Sequence, residues 1–338
     1  MRVLVTGGAG YIGSQTCKAL AVQGHEPITF DNLSEGHRWA LQWGPLVEGD
    51  LSNGNLLRET IVAHDISAVI HFAAHAYVGE SVENPRKYYR NNLVNTLNVL
   101  DAMVDTGVRS IVFSSTCAVY GVPQTLPLTE DHPLSPVNPY GDTKLAIERA
   151  LRWYGSAYDL GWVALRYFNA AGADPEGQLG EEHDPETHLI PLALKAARDS
   201  VPLSVFGTDY PTPDGTAIRD YIHVADLAHA HVLALDHLSQ SGESAAFNLG
   251  TGTGHSVREV VNTVERVTGL PVPLHEVGRR SGDPPALVAD AARAGAVFGW
   301  QPECSDLESI VATAWAWQGL EFTSSSRPQR RDDGFPTR

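Results

Sequence analysis

The chain has 338 residues, 43% of them hydrophobic, and a formal net charge of −16 at pH 7. That length suits one large domain or two unequal ones with ample core. The acidic balance argues against nucleic acid or an anionic membrane as partner, while a small anion would need only a few local arginines.

The first half alternates strand and helix signals. A short apolar run, Val3 to Val5, reads as a buried parallel strand and ends in Gly7, Gly10 and Gly13; a helical pattern runs from Tyr11 to Val22. Strands follow at Glu26 to Phe30, Leu46 to Glu48, Ala68 to Phe72, Arg109 to Ser115 and Trp162 to Phe168. Between them lie helices at Leu56 to Ala63, Asn84 to Thr106 and Tyr140 to Tyr158. This order implies right-handed βαβ units and a doubly wound parallel α/β sheet. After Asn169 the texture changes. Ala173 to Glu186 reads as loop, Ile190 to Arg198 as helix and Leu203 to Phe206 as strand. A Pro/Gly/Asp loop spans Tyr210 to Gly215. Helices are expected at Asp226 to Leu238 and Val257 to Thr268, with a strand at Ala246 to Leu249. The expected division is a dinucleotide-binding domain over 1–168 and a smaller, irregular C-terminal substrate lobe over 169–322, the chain returning to the first domain around 224–250. Residues 323–338 are Ser-, Pro- and Arg-rich, and disorder is expected there. No internal repeat is visible. Cys17, Cys117 and Cys304 form no CxxC and no disulfide framework, which suits a reducing cytoplasm. A first strand at Arg2 leaves no room for a signal peptide, and no apolar run approaches the ~20 residues of a membrane helix.

Two clusters carry chemistry. In the first, Gly7 permits a tight turn, Gly10 lets the backbone approach a pyrophosphate and Gly13 lets the helix pack against the strand, while the helix N-terminus offers N–H groups to the anion. The G-x-x-G-x-x-G spacing is weak evidence alone. Asp31, at the second strand's end and ~20 residues beyond the loop, is placed to accept both ribose hydroxyls of an adenosine and to repel a 2′-phosphate, which favours NAD over NADP. Asp50 would lie near the adenine, and Phe72, Ala73 and Ala74 close the fourth strand where small residues let a cofactor pass. In the second cluster, Tyr140 and Lys144 are four apart at a helix start and share a face. A lysine ammonium beside a phenol favours phenolate, and an oxidised nicotinamide nearby would add a second positive charge; two close cations in a partly dry site can supply the ~4 kcal/mol that moving the phenol from about 10 towards 7 takes. Thr116 offers a hydroxyl to relay the proton. Histidines 223, 229, 231 and 237 crowd one region without i, i+4 pairing, so no metal site is expected.

The stretches MRVLVTGGAGYIGS, DNLSEG, VEGDL, VIHFAA, VGESVENPRKYYRNN, FSSTCAVYG, NPYGDTKL, LRYFNAAGA, HLIP, VFGTDYPTPDGTAIRDYIHVADLA, FNLGTGTGHSV and RRSGDPPALVAD resemble the extended short-chain dehydrogenase/reductases, and among them the UDP-glucose (UDP-galactose) 4-epimerases. The likeness covers residues 1 to about 318. It implies a Rossmann sheet, tightly bound NAD and inversion at C4 of a UDP-sugar through a 4-keto intermediate, a step of galactose metabolism. Tyr140 would be acid and base, Lys144 would hold the nicotinamide ribose, and Thr116, where relatives often carry serine, would bond the 4-oxygen. Cofactor contacts would also come from Tyr11, Ile12, Asn32, Leu51, Asn91 and Phe168. The UDP-sugar would meet Asn169, His188, Leu189, Ser204, Val205, Phe206, Arg219, Tyr221, Arg280 and Asp283. Arg219 and Arg280 are the expected diphosphate clamps, against the alternative of structural salt bridges with Asp220 or Asp283. His188 stands where some relatives carry Asn, and Ala76 where some carry a lysine. At Leu287 a bulky residue is associated with excluding N-acetylated sugars, and leucine is intermediate. UDP-xylose/UDP-arabinose and UDP-N-acetylhexosamine epimerases share the same chemistry. A sugar-nucleotide dehydratase would need an acid after Thr116, where Cys117 and Ala118 stand. A non-catalytic NAD binder would have little use for Thr116, Tyr140 and Lys144 together. The resemblance further suggests a homodimer built on the helices Asn84–Thr106 and Tyr140–Tyr158.

Overall fold

The N-terminal strand is apolar on both faces because it is covered on both. Val3, Leu4 and Val5 are all fully buried, as expected of a central parallel strand. In the computed structural model, which describes residues 1–280 and 282–322, this strand β1 (Arg2–Thr6) lies near the middle of a seven-stranded parallel sheet. The chain continues through α1 (Tyr11–Val22), β2 (Glu26–Asp31), β3 (Leu46–Glu48), α2 (Gly54–Ala63) and β4 (Ala68–His71). Then come the short helices α3 (Val78–Glu83) and α4 (Pro85–Tyr88), a wider π-type stretch over Tyr89–Val94, and α5 (Asn95–Thr106). Next are β5 (Ser110–Ser114), α6 (Pro139–Tyr158), β6 (Gly161–Tyr167) and β7 (Asn169–Ala171). The remainder holds α7 (Leu189–Asp199), β8 (Leu203–Phe206), β9 (Ile218–His223), α8 (Val224–Ser239), β10 (Ala245–Leu249), β11 (Gly254–Ser256), α9 (Val257–Thr268), β12 (Leu274–Val277), β13 (Ala286–Leu287), α10 (Ala292–Phe298) and α11 (Leu307–Phe322).

The sheet order is β10-β6-β5-β4-β1-β2-β3. One core cluster joins β1, α1 and α8, and another joins β1, β2, α2, α5 and α6, so helices pack on both faces. The order reverses between β1 and β4, and the crevice beyond their carboxyl ends is where doubly wound sheets bind ligands. β10 pairs in parallel with β6, so the chain returns to the large sheet after its first excursion. A smaller sheet of β11, β9, β13 and β7 and the pair β12-β8 lie outside it. Among the described residues no helix is long and apolar enough to cross a membrane. The expected disorder over 323–338 lies outside the described residues.

Two expectations need correction. The single helix over Asn84–Thr106 is interrupted at Tyr89–Val94. Asn92, fully buried there, accepts the His75 main-chain N–H and donates to its carbonyl, both at 2.9 Å. A side chain tied to a neighbouring segment in this way widens the turn. The C-terminal region is also richer in strands than its texture suggests. In β9, Arg219 and Asp220 mask the apolar alternation. Buried Asp220 accepts from Thr251, Gly252 and Ala289 main-chain N–H groups at 2.9 to 3.1 Å, which satisfies a charge that the sequence pattern reads as solvent-facing.

Candidate active site

At the crevice, Gly7 has φ +74°, and a Cβ on it would meet the Ala73 main-chain N at 2.7 Å. A Cβ on Gly13 would run into the Gly7 carbonyl, whereas one on Gly10 would meet only that carbonyl at 3.4 Å. The first and third glycines are thus fixed by close packing, and the second puts no side chain over the start of α1, which no side chain caps. Tyr11 leaves the turn sideways and donates its hydroxyl to the Gly172 carbonyl at 2.5 Å. Asp31 ends β2, 8% exposed. Its two oxygens accept the Ala9 and Leu33 amides at 3.0 and 2.8 Å. Burial raises its pKa and these amides pull it back down. Asn32 donates to Asp50 at 2.8 Å, so the ends of β2 and β3 are joined. Phe72 packs on His231, Ile12 packs partly buried on the same core cluster, and Ala74 follows Ala73 beyond β4. Leu51 is buried in the core and Phe168 packs with Cys117. Asn91 donates to Asn92 in the widened turn at 3.1 Å. A bare glycine turn facing a held carboxylate fits an adenine dinucleotide.

The second cluster sits on the next two elements. Asn138 caps α6 by accepting the Gly141 amide at 2.8 Å, with Pro139 in the first turn. That start places Tyr140 and Lys144 one turn apart, facing the end of β5. Lys144 is 2% exposed and donates to the Ser114 carbonyl at 2.8 Å; an ammonium carries three donors, and this bond uses one. Its Nζ lies 5.9 Å from the centre of the Tyr140 ring. The phenol does not sit low in the protein alone. Burial pushes Tyr140 up to about 12 against the opposing hydrogen bond of Thr116. Burial likewise lowers Lys144 to about 7. Lowering the phenol by Lys144 and an oxidised nicotinamide together must therefore overcome this desolvation as well, with a lysine that is itself desolvated. Thr116 is 7% exposed and caps the turn after β5.

Across the crevice, Asn169, His188, Leu189 and Tyr221 line one cavity together with Ala170, Ala171, Ile190 and Pro191. Asn169 and Tyr221 are register partners of β7 and β9. Arg280 stacks 3.8 Å over the centre of the Phe206 ring. Arg219 is paired with Asp283 and donates to the Ile218 carbonyl at 2.7 Å. Asp283, and not Asp220, is its partner. Leu287 is the register partner of Arg219 and packs beside Cys117 and Phe168. Along β8, Ser204 is exposed and Val205 is 2% exposed. Strand alternation turns the Val205 side chain into the core, so only its main chain can face a ligand.

Sequence reasoning missed a buried network under Thr116. Glu148 receives Arg166 through two hydrogen bonds of 2.9 and 2.6 Å and Ser115 through a third of 2.6 Å. Arg166 also donates to Tyr120 at 3.0 Å. The signal was present: Glu148 continues the four-residue spacing of Tyr140 and Lys144 on the same helix face. The clustering of Glu181, His183 and Glu186, in the segment read as loop, with His188 just beyond it was also missed. The histidines considered earlier serve other roles. His223 accepts the Ala225 amide, and His231 and His237 donate to the Leu227 and Glu243 carbonyls.

Comparison with known proteins places this geometry. Residues 3–250 match the model of the NAD dependent epimerase/dehydratase family. A UDP-glucose 4-epimerase of Halalkalibacterium halodurans is 51% identical over 320 residues, 94% of this chain and 95% of its own. The crystal structure of UDP-glucose 4-epimerase from Brucella ovis in complex with NAD has a TM-score of 0.91 at 56% identity, covering 93% of this chain and 97% of that one. The Bifidobacterium longum UDP-glucose 4-epimerase in complex with NAD+ and UDP has a TM-score of 0.90 at 39% identity, over 95% and 98% of the two chains. The chain belongs to the NAD dependent epimerase/dehydratase family.

Proposed function

We propose that the chain interconverts UDP-glucose and UDP-galactose by inverting C4 through a 4-keto sugar. The observation that carries this reading is that buried Thr116 and Lys144 meet half-buried Tyr140 at the carboxyl end of β5, with Thr116 hydrogen-bonded to the Tyr140 phenol. Asp31 and the Gly7–Gly13 turn hold the adenosine and pyrophosphate of NAD, and Lys144 holds the nicotinamide ribose with its remaining donors. NAD, when bound, would supply a reversible hydride acceptor in its positively charged nicotinamide ring. Tyr140 takes the proton of the 4-hydroxyl as hydride leaves C4 and gives it back to the 4-oxygen when hydride re-enters C4 on the opposite face, while Thr116 bonds the 4-oxygen. The positive charge of the bound cofactor adds to Lys144 in bringing the phenol down from about 12.

Arg280, Arg219, Phe206 and His188 hold the UDP, which leaves the keto sugar free to turn over. Cys117 follows Thr116 and is buried, with its thiol pushed up to about 12. No carboxylic acid stands there to serve dehydration. Residues 1–168, with the return of the chain around 224–250, form the cofactor domain, and the rest of 169–322 the main substrate lobe. The exposed Val94, Trp153 and Tyr158 on the two long helical stretches suit a homodimer interface, and three free cysteines suit the cytoplasm. The test is Tyr140→Phe. It keeps bound NAD and loses about 10²–10⁴-fold in turnover; wild-type turnover would exclude Tyr140 as acid and base. Parallel assays with UDP-arabinose and UDP-N-acetylglucosamine read the space beside Leu287.

A further inference from the structure

We propose that Glu181, His183, Glu186 and His188 form a binding site for one divalent transition-metal ion, with Zn²⁺ the ion that suits their donors. Each residue presents one ligand atom within 4.8 Å of all the others. His183 Nδ1 stands 3.2 Å from Glu181 Oε1 and 3.7 Å from Glu186 Oε2. His188 Nδ1 contacts the same Glu181 oxygen and lies 3.8 Å from Glu186 Oε1. Two imidazoles and two carboxylates are a four-donor set of the kind that holds zinc. With zinc–donor bonds of about 2.1 Å, tetrahedral donors lie about 3.4 Å apart, so small side-chain rotations close the cage.

The surroundings make this a built site. The Thr187 and His188 amides donate to Glu186 Oε1 at 2.7 and 2.8 Å, which fixes the carboxylate and leaves Oε2 toward His183. Such bonds to a ligand's far atoms orient metal sites generally. The Trp317 indole donates to the Glu181 carbonyl at 3.2 Å and the His37 ring to the Glu182 carbonyl at 3.0 Å, pinning the segment. Tyr11 and Tyr77 stand edge-on to His183 and wall one side. Two carboxylates with two neutral imidazoles carry a charge that a divalent ion balances. His188 also lines the Asn169–Tyr221 cavity, so an ion here would fix that ring at the border of the substrate cleft.

The test uses tag-free, NAD-loaded protein. Equilibrium dialysis against Zn²⁺ should give one ion per chain, and titration with Co²⁺ should give the visible absorption of a four-coordinate complex. His183→Ala and Glu186→Gln should each weaken binding at least about tenfold while keeping NAD content; His183→Gln preserves packing if the alanine does not fold. Binding below one ion per chain at saturation, or equal affinity in the folded variants, would overturn the assignment. In either case the two histidines serve only as ion-pair partners of the carboxylates.

Discussion

Glu148→Gln removes a charge from the buried network while keeping its shape. Glu148 and Arg166 are 1% and 2% exposed, and nearly all of the pair's electrostatic support is internal. A glutamine oxygen can still accept from Arg166 Nε at the 2.9 Å position or from Ser115 at the 2.6 Å position. Its amide nitrogen, however, would turn a donor toward the guanidinium's other nitrogen. The guanidinium remains buried and charged, with neutral oxygens, the Tyr120 hydroxyl at 3.0 Å among them, in place of the carboxylate. Stranding one member of a buried pair costs about 3–5 kcal/mol. Replacing both, as in Glu148→Met with Arg166→Met, strands no charge and should cost less than the sum of the single changes by about 2 kcal/mol or more. Urea unfolding of the NAD-loaded wild type, both single variants and the double variant measures this directly. A cost for Glu148→Gln below about 1 kcal/mol, the range of exposed pairs, would refute the argument. Ser115 precedes Thr116, so the same variant should lower turnover more than it lowers NAD retention.

Gly13→Ala places a methyl against the Gly7 carbonyl and should release NAD, read as loss of cofactor after gel filtration; a variant that keeps NAD would show that the turn has slack. Lys144 gives a pH signature. Its pKa falls from 10.5 unfolded to about 7 folded, so between these values the unfolded chain holds the extra proton and stability rises with pH, by up to ~1.4 kcal/mol per unit. Lys144→Met should flatten the rise in urea midpoint between pH 7 and 9; an unchanged slope would place the titration elsewhere. Arg280→Ala should raise KM for the UDP-sugar with little change in kcat, since the contact serves a part of the substrate that does not react; a drop in kcat alone would contradict that role.

The large sheet was readable because its strands are buried on both faces and so appear as apolar runs such as Val3–Val5 and Ile111–Phe113. Helix starts were readable where capping residues stand, as at Asn138 and Ser256. The small sheet was not readable. Its strands β7, β11 and β13 have three, three and two residues, and β9 carries a buried aspartate whose partners come from Thr251, Gly252 and Ala289. Such pairing lies in tertiary contacts that no local period records. In the candidate site, the spacing of Tyr140 and Lys144 and the hydroxyl of Thr116 were legible. The electrostatic state was not, because it depends on how far burial removes each group from water. The pairing of Arg219 with Asp283, 64 residues away, likewise follows from β9 and β13 being adjacent.

The most direct measurement incubates the purified, NAD-loaded protein with UDP-galactose and follows the anomeric signals by NMR. The account predicts that UDP-glucose appears and the mixture reaches equilibrium with no net reduction of NAD. Well-folded, NAD-loaded protein that leaves UDP-galactose unchanged would contradict it.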